Sequence, residues 1–163
     1  MLVATTNAVN LTDGLDGLAG SLSAVAFIAF ALISFVVGFE DIGIFCLVLV
    51  GSLIGFLVFN THPAKVFMGD TGSLALGGVM GAVAILTHRE LTLLVVAGVF
   101  VIETLSVILQ VLWLKVFHKK LFLMTPLHHH FEKLGWQETD IVKLFVVFGL
   151  LLAMGGIIFG VWL

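Results

Sequence analysis

The sequence predicts an all-α, polytopic integral membrane protein with about five transmembrane helices and one short interfacial helix. Three observations lead to this fold class. Of the 163 residues, 61% are hydrophobic and only 10% are charged, whereas a soluble domain is about half apolar and about one quarter charged. The apolar residues are gathered into runs of about 20, the length that crosses a bilayer as a helix. Because a bilayer leaves no water for unpaired backbone groups, each run is expected to be helical.

Four runs have the length and composition of a membrane span, and a fifth is shorter and rich in glycine. In chain order the five runs are Leu18–Phe39, Ile42–Phe59, Ser73–Thr87, Leu91–Phe117 and Ile141–Leu163. The spacings Gly51-x-x-x-Gly55 and Gly77-x-x-x-Gly81 are of the kind that lets two helices approach closely. Such pairs also arise by chance where glycine is frequent, so both interpretations stay open.

Lys and Arg give the orientation of the spans, because cytoplasmic loops carry an excess of both. With five spans, one face of the membrane receives residues 1–17, 60–72 and 118–140. The other face receives 40–41, 88–90 and the C-terminus. Of the seven positive residues, only Arg89 belongs to the second face, so the first face is expected to be cytoplasmic. The dense polar clusters fall on that same face, which predicts a single site at the inner surface of the membrane.

Composition also speaks against several classes of protein. The net charge is −3 and there is no basic block, so no nucleic-acid partner is expected. The single cysteine, Cys46, lies inside an apolar run, which leaves no disulfide and no cysteine-based metal site. Neither a Walker motif nor G-x-G-x-x-G occurs, so the usual nucleotide-binding signatures are absent from the sequence.

The stretch NLTDGLDG places two carboxylates at the expected cytoplasmic boundary. Asn10 or Thr12 could cap a helix that runs into the first span, and one Asp near its start would suit the helix dipole. Capping does not need both Asp13 and Asp16, which would share one side of a helix at this spacing. Paired carboxylates suit Mg²⁺, water or a polar substrate, so function is favoured over capping.

The stretch PAKVFMGDTGS carries the second polar cluster. Pro63 marks a break after the preceding span, and Asp70 or Thr71 could cap the next helix. Free N–H groups at a helix start attract phosphate, and a carboxylate there would need a cation between itself and that phosphate. The pattern leaves open whether Asp70 serves Mg²⁺ and phosphate or is a simple cap. Phe67 could stack on a base or anchor the loop in the membrane interface.

A short helix is predicted in TPLHHHFEKLG. Thr125 as N-cap, Pro126 at the first helical position and Gly135 past the end are typical of helix boundaries. An apolar stripe on such a helix suits the membrane surface. The residues of this stripe are Leu127, Phe131 and Leu134.

Other candidate functional groups are the three adjacent histidines and two polar residues within the fourth span. Successive helical residues are about 100° apart, so His128, His129 and His130 fan over about 200° and cannot all bind one metal. Such a run is uncommon by chance and favours a role in hydrogen bonding or proton movement. Glu103 and Gln110 lie in apolar surroundings, where a carboxylate is a candidate functional group or is hydrogen-bonded to a neighbouring helix.

Three motifs together, NAVNLTDGLDGLA, FNTHPAKVFMGDTGSLALGG and HHHFEKLGW, resemble the phospho-N-acetylmuramoyl-pentapeptide-transferases in order and spacing. These are the lipid I synthases of the bacterial glycosyltransferase 4 group, and the resemblance extends over essentially the whole chain. It implies transfer of phospho-MurNAc-pentapeptide from UDP-MurNAc-pentapeptide to undecaprenyl phosphate, giving lipid I and UMP in peptidoglycan synthesis. It also implies Mg²⁺ as cofactor, and a multi-pass location in the bacterial inner membrane with the active site on the cytoplasmic face.

The same resemblance implies roles for individual residues. Asp70 is expected to be a magnesium ligand. The expected substrate-binding residues are Asn10, Asp13, Gly14, Asp16, Asn60, Phe67, His128 and His129. The expected catalytic residues are Asp13, Asp16, Asp70 and His129. Which carboxylate acts as base or nucleophile stays open.

The family has about ten spans and this chain about five. Residues 1–163 are therefore expected to form a single membrane domain that corresponds to the C-terminal half of the enzyme. The other half of the family carries a paired-Asp motif and basic residues, so this chain alone is expected to bind Mg²⁺ and nucleotide weakly and to turn over little. A homodimeric arrangement is also considered. Two other classes stay open, a transporter or channel subunit with Glu103 in an ion path, and a non-catalytic membrane remnant.

Overall fold

The computed structural model describes residues 1–162, and within this range the secondary structure consists of helices joined by loops, with no strand. The helices are α1 (Leu2–Thr12), α2 (Leu18–Val37), α3 (Glu40–Asn60), α4 (Gly69–Leu86), α5 (Glu90–Val96), α6 (Gly98–Phe117), α7 (Leu127–Lys133) and α8 (Glu138–Trp162). The prediction of an all-α protein is confirmed.

Five helices, α2, α3, α4, α6 and α8, are long and apolar enough to cross a membrane. The prediction of about five spans is thereby confirmed, with two differences in detail. The run expected at Leu91–Phe117 is divided into α5 and α6 by a break at Ala97, next to Gly98, which packs directly against Leu152 of α8. The last span begins at Glu138 rather than Ile141, and its expected end at Leu163 lies outside the described residues.

Helix α1 is a helix that the sequence did not predict, since residues 1–17 were expected to be a loop. Its polar side chains bond back to its own backbone: Thr5 Oγ1 donates to the Leu2 carbonyl at 2.9 Å, and Asn7 Nδ2 donates to the Val3 carbonyl at 2.7 Å. These bonds satisfy groups that would otherwise favour a loop.

Helices α1 and α4 pack closely because α4 presents two glycines to α1. A Cβ added at Gly77 would lie 2.5 Å from the Thr5 carbonyl oxygen, and one at Gly81 would lie 2.6 Å from Thr5 Oγ1. Of the two interpretations that the sequence left open for this glycine pair, the structure shows close helix approach. A Cβ at Gly51 or Gly55 would meet no atom within 4 Å in the described residues.

Helix α2 forms the centre of the fold and packs against α3 and α8. Its residues Phe27, Phe30 and Ile33 are completely buried. It begins after Gly17, which has φ of +78° and makes no side-chain cap, so the alternative that Asn10 or Thr12 caps this helix does not hold. The chain leaves α1 after Thr12 and passes through turns before α2 begins, so the two acidic residues of that stretch do not lie on one helix.

Two more predicted helix starts differ from the structure. Helix α4 begins at Gly69, and neither Asp70 nor Thr71 caps it; Asp70 lies in the first turn. Helix α7 begins one residue later than predicted, with Pro126 at the N-cap.

The end of α7 is as predicted, because Gly135 follows it with φ of +89°. The Gly135 N–H donates to the Glu132 carbonyl and the Trp136 N–H to the Phe131 carbonyl, a pair of bonds that closes many helices. Phe131 and Leu127 pack against the protein core, whereas Leu134 of the predicted stripe is exposed. Much of the stripe therefore serves internal packing.

Candidate functional site

A cavity of about 190 Å³ opens between the α1–α2 loop and the α3–α4 loop. Its wall includes two carboxylates, an amide and a large aromatic ring. The lining residues are Asp13, Gly14, Leu15, Asp16, Asn60, Phe67, Met68 and Gly69. Residues that the sequence placed in separate motifs therefore surround one space, while their roles in binding stay a prediction.

Asp70 lies beside this cavity, in the first turn of α4, and is held by α1. Asn10 Nδ2 donates hydrogen bonds to Asp70 Oδ1 and to Ser73 Oγ, both at 3.0 Å. Burial raises the pKa of Asp13 above its ordinary value of 3.8, and the negative charge of Asp70 raises it further. The two carboxylates are thus close enough to repel each other, which is the electrostatic setting that a cation relieves.

Asn60 joins the two loops of the cavity. Its Oδ1 accepts the Gly17 N–H at 3.1 Å, and its Nδ2 donates to the Val66 carbonyl at 2.9 Å. Because the side chain is buried, these bonds fix the relative position of the loops. Phe67 is different, since 73% of this residue is exposed and its ring is free to meet a ligand.

Asp16 belongs to a second polar cluster, together with His62 and Glu138. His62 Nδ1 lies 3.2 Å from Asp16 Oδ2 and 3.1 Å from Glu138 Oε2. The Asp16 N–H donates to Glu138 Oε1 at 2.6 Å, and Asp16 Oδ2 accepts the Ala64 N–H at 2.9 Å. The three side chains offer ligand atoms within 4.8 Å of one another and could hold a metal ion. The sequence analysis did not identify His62 or Glu138, because the three residues come from distant parts of the chain.

His128, on α7, packs behind the cavity wall without lining the cavity itself. It is completely buried and lies against Gly14, where an added Cβ would overlap its Nε2 atom. The His129 ring is 4.2 Å from the His128 ring and contacts Glu132. His130 turns away, and its Nδ1 accepts the Leu123 N–H at 3.1 Å. The histidines therefore diverge as the helical spacing predicted, and His128 with His129 lies next to the cavity.

The two polar residues of α6 hold the segment that leads into α7. Glu103 Oε2 accepts the Leu127 N–H at 2.6 Å, and its Oε1 accepts the His128 N–H at 3.2 Å. Gln110 Oε1 accepts the N–H groups of Leu121 and Phe122 at 3.0 and 2.9 Å. The sequence left open whether each of these residues is functional or is hydrogen-bonded to a neighbouring element. The structure shows hydrogen bonding for each.

Together these features define a class, an α-helical multi-pass membrane protein with a carboxylate-lined cavity formed by the loops between its spans. The family model for glycosyl transferase family 4 matches residues 1–88, which include α1 to α4 and both cavity loops. The chain belongs to this family.

Curated relatives match the chain along its whole length. Phospho-N-acetylmuramoyl-pentapeptide-transferases of Geobacillus thermodenitrificans, Shouchella clausii and Bacillus subtilis are 59%, 56% and 58% identical to it over 163 residues. The match covers 100% of this chain and 50% of each of these relatives. The chain therefore spans about half the length of the curated relatives it matches. These matches confirm the resemblance and support a bacterial multi-pass membrane protein.

Proposed function

We propose that the chain takes part in the transfer of phospho-MurNAc-pentapeptide from UDP-MurNAc-pentapeptide to undecaprenyl phosphate, which yields lipid I and UMP. The observation that carries this proposal is that five of the eight expected substrate-binding residues, Asp13, Gly14, Asp16, Asn60 and Phe67, line one cavity. The names of the relatives support the same reaction. The chain would act as the C-terminal half of the site, as a single membrane domain. The cavity would face the bacterial cytoplasm, because the lysine-rich loops lie on that side.

Magnesium fits the residues at Asp13 and Asp70. The charge of Asp70 raises the pKa of Asp13, so a divalent cation near both would remove a repulsion, and Mg²⁺ prefers oxygen ligands. The cluster of Asp16, His62 and Glu138 includes an imidazole, a ligand that suits transition metals better. We therefore place Mg²⁺ with Asp70 as ligand and Asp13 beside it. When bound, the ion supplies charge neutralisation for the diphosphate.

The chain's own residues have distinct parts in this proposal. Asn10 orients the Asp70 carboxylate through its hydrogen bond, and the exposed ring of Phe67 offers a surface for the uracil base. Asp13, whose pKa is raised by burial and by the charge of Asp70, is the carboxylate that we assign to holding or releasing a proton. Asp16 fixes the loop because its carboxylate accepts the Ala64 N–H and its own backbone N–H donates to the Glu138 carboxylate.

His128 and His129 belong to the surroundings of the site in this proposal, with His128 packed against the wall residue Gly14. Two neighbouring imidazoles beside a phosphate site can donate hydrogen bonds or move a proton. His129 is the less buried of the two, and so it is the one that we assign to chemistry.

The experiment that tests the function measures binding of the UDP-linked precursor to the purified chain in lipid nanodiscs, with and without Mg²⁺. Replacing Asp70→Asn is expected to weaken the Mg²⁺-dependent binding at least tenfold, about 1.4 kcal/mol. The matched control is Asp140→Asn, an exposed carboxylate paired with Lys143 outside the cavity, which should change binding less than about twofold. Equal effects of the two variants, or binding that ignores Mg²⁺, would contradict the proposal.

A radiolabelled transfer assay tests the expectation about the half-length chain. Little or no lipid I is expected from this chain alone. Robust transfer by the 163-residue chain would show that it suffices for the reaction, and it would leave the proposed activity intact.

A further inference from the structure

Glu103 is a completely buried carboxylate that reaches out of its own helix to another element. Both of its oxygens accept backbone N–H groups at the start of α7, from Leu127 and from His128. An ionised group buried away from water is costly unless hydrogen bonds compensate it. Here two N–H groups and the positive end of the α7 peptide dipoles face the carboxylate. The interaction therefore fixes where α7 begins.

The same carboxylate lies next to the side chain of His128. His128 Nδ1 is 3.3 Å from Glu103 Oε1, near it but not aligned for a hydrogen bond, and neither ring nitrogen has a hydrogen-bond partner within residues 1–162. On its other side the ring lies against Gly14, a residue of the cavity wall. The His128 imidazole therefore lies between the Glu103 carboxylate and Gly14 of the cavity wall.

We propose that Glu103 is a positioning residue that holds the His128 imidazole against the α1–α2 loop and thereby shapes the cavity wall at Gly14. This inference rests on the proposed function for what the cavity binds. The inference that Glu103 fixes the position of His128 rests only on the two hydrogen bonds between Glu103 and the start of α7 and on the burial of both side chains. Glu103 acts through His128 and does not itself line the cavity.

The first experiment measures how well His128 is shielded, using carbethoxylation by diethyl pyrocarbonate in nanodiscs with the modified residues located by tandem mass spectrometry. In Glu103→Gln, one carbonyl oxygen must replace two acceptors and the new amide group faces an N–H donor, so α7 should loosen. His128 is expected to react at least tenfold faster than in the unmodified chain. His62, which is 46% exposed, is the internal reference and should react equally in both.

The matched control is Thr104→Val, one residue further along α6. The Thr104 hydroxyl donates within its own helix, to the Phe100 carbonyl at 2.9 Å, so its loss should leave His128 protected. A Glu103→Gln chain in which His128 reacts no faster than in Thr104→Val would overturn the proposal.

The second experiment is a double-mutant cycle on binding of the UDP-linked precursor in the presence of Mg²⁺. Glu103→Gln and His128→Asn are each expected to weaken binding about tenfold, and the double variant should be within about twofold of His128→Asn. Independent losses, about a hundredfold in the double variant, would contradict positioning through His128, as would unchanged binding in Glu103→Gln. If the unmodified chain binds no precursor, the proposed function fails, while the carbethoxylation rates still decide whether Glu103 holds His128.

Discussion

Gly77 offers the sharpest test of how packing far from the cavity sets its geometry. It faces α1 at a distance that leaves no room for a side chain: a Cβ there would lie 2.5 Å from the Thr5 carbonyl oxygen and 2.6 Å from Thr6 Cα. Both neighbours are backbone atoms, which cannot rotate away. At the next position, a Cβ on Gly78 would be 3.5 Å from Thr6 Cγ2, an ordinary contact. Gly77→Ala and Gly78→Ala are therefore a matched pair.

The expected stability difference follows from these distances. Both substitutions gain helix propensity of about 1 kcal/mol relative to glycine, so Gly78→Ala should be stabilising by about that amount. Gly77→Ala adds an overpacking cost of about 1–3 kcal/mol, which cancels or exceeds the gain. We therefore expect Gly77→Ala to be less stable than Gly78→Ala by about 1–3 kcal/mol.

The effect on the cavity follows from the displacement of α1. To restore a contact of about 3.4 Å, α1 must move away from α4 by about 0.9 Å, the difference between 3.4 and 2.5 Å. Asn10 bridges α1 to Asp70 and Ser73 through bonds of 3.0 Å, and such a shift takes both beyond hydrogen-bonding distance. Mg²⁺-dependent binding of the precursor should fall at least tenfold in Gly77→Ala and stay unchanged in Gly78→Ala.

Thermal unfolding in detergent and calorimetric titration of Mg²⁺ with the precursor measure the two effects. The reasoning is refuted if Gly77→Ala matches Gly78→Ala in both stability and binding. A stability loss without a binding loss would show that Asn10 keeps its bonds by a local adjustment.

Three further predictions concern protons, a glycine and a second metal. Burial and the charge of Asp70 raise the pKa of Asp13, and Mg²⁺ competes with the proton for this carboxylate, so Mg²⁺ affinity should rise with pH through that raised pKa; Asp13→Asn should abolish this dependence in titrations at several pH values. Gly14→Ala should push the His128 ring from its place, weakening precursor binding about tenfold and raising the rate of His128 carbethoxylation; an unchanged rate would mean that the loop yields instead. Zn²⁺ added to the chain should bind at Asp16, His62 and Glu138 and lose at least tenfold in affinity in His62→Gln, with Mg²⁺ binding unchanged; equal Zn²⁺ affinity in the variant would exclude this cluster.

The sequence predicts the spans well because a bilayer demands long apolar runs, a signal that local composition carries on its own. It does not predict α1, whose threonine and asparagine side chains favour loops by propensity. Those side chains bond within the helix, and α1 packs on glycines that come about 70 residues later in the chain. The break at Ala97 likewise depends on contact with another helix.

The candidate site, too, can be predicted from the sequence only in part. The motif around Asp13 and the motif around Asp70 are recognisable as linear strings, and the structure brings both to one cavity. Glu138 lies outside these motifs, and His62 lies within one without its pairing being visible there, because its partners Asp16 and Glu138 come from other parts of the chain. Glu103 was visible as a costly buried carboxylate, but only the fold shows that it holds α7. Which side chains contact one another depends on the tertiary structure, and a single sequence does not state it.

Glu138 is the first residue of α8, and its carboxylate accepts a hydrogen bond from the Asp16 N–H in the α1–α2 loop. The last span and the mouth of the cavity are therefore mechanically linked at the water boundary. If this helix tilted to match the thickness of its lipid surroundings, the loop bonded to its first residue would be displaced with it. The position of the last span and that of the cavity loop are therefore set together, through one carboxylate.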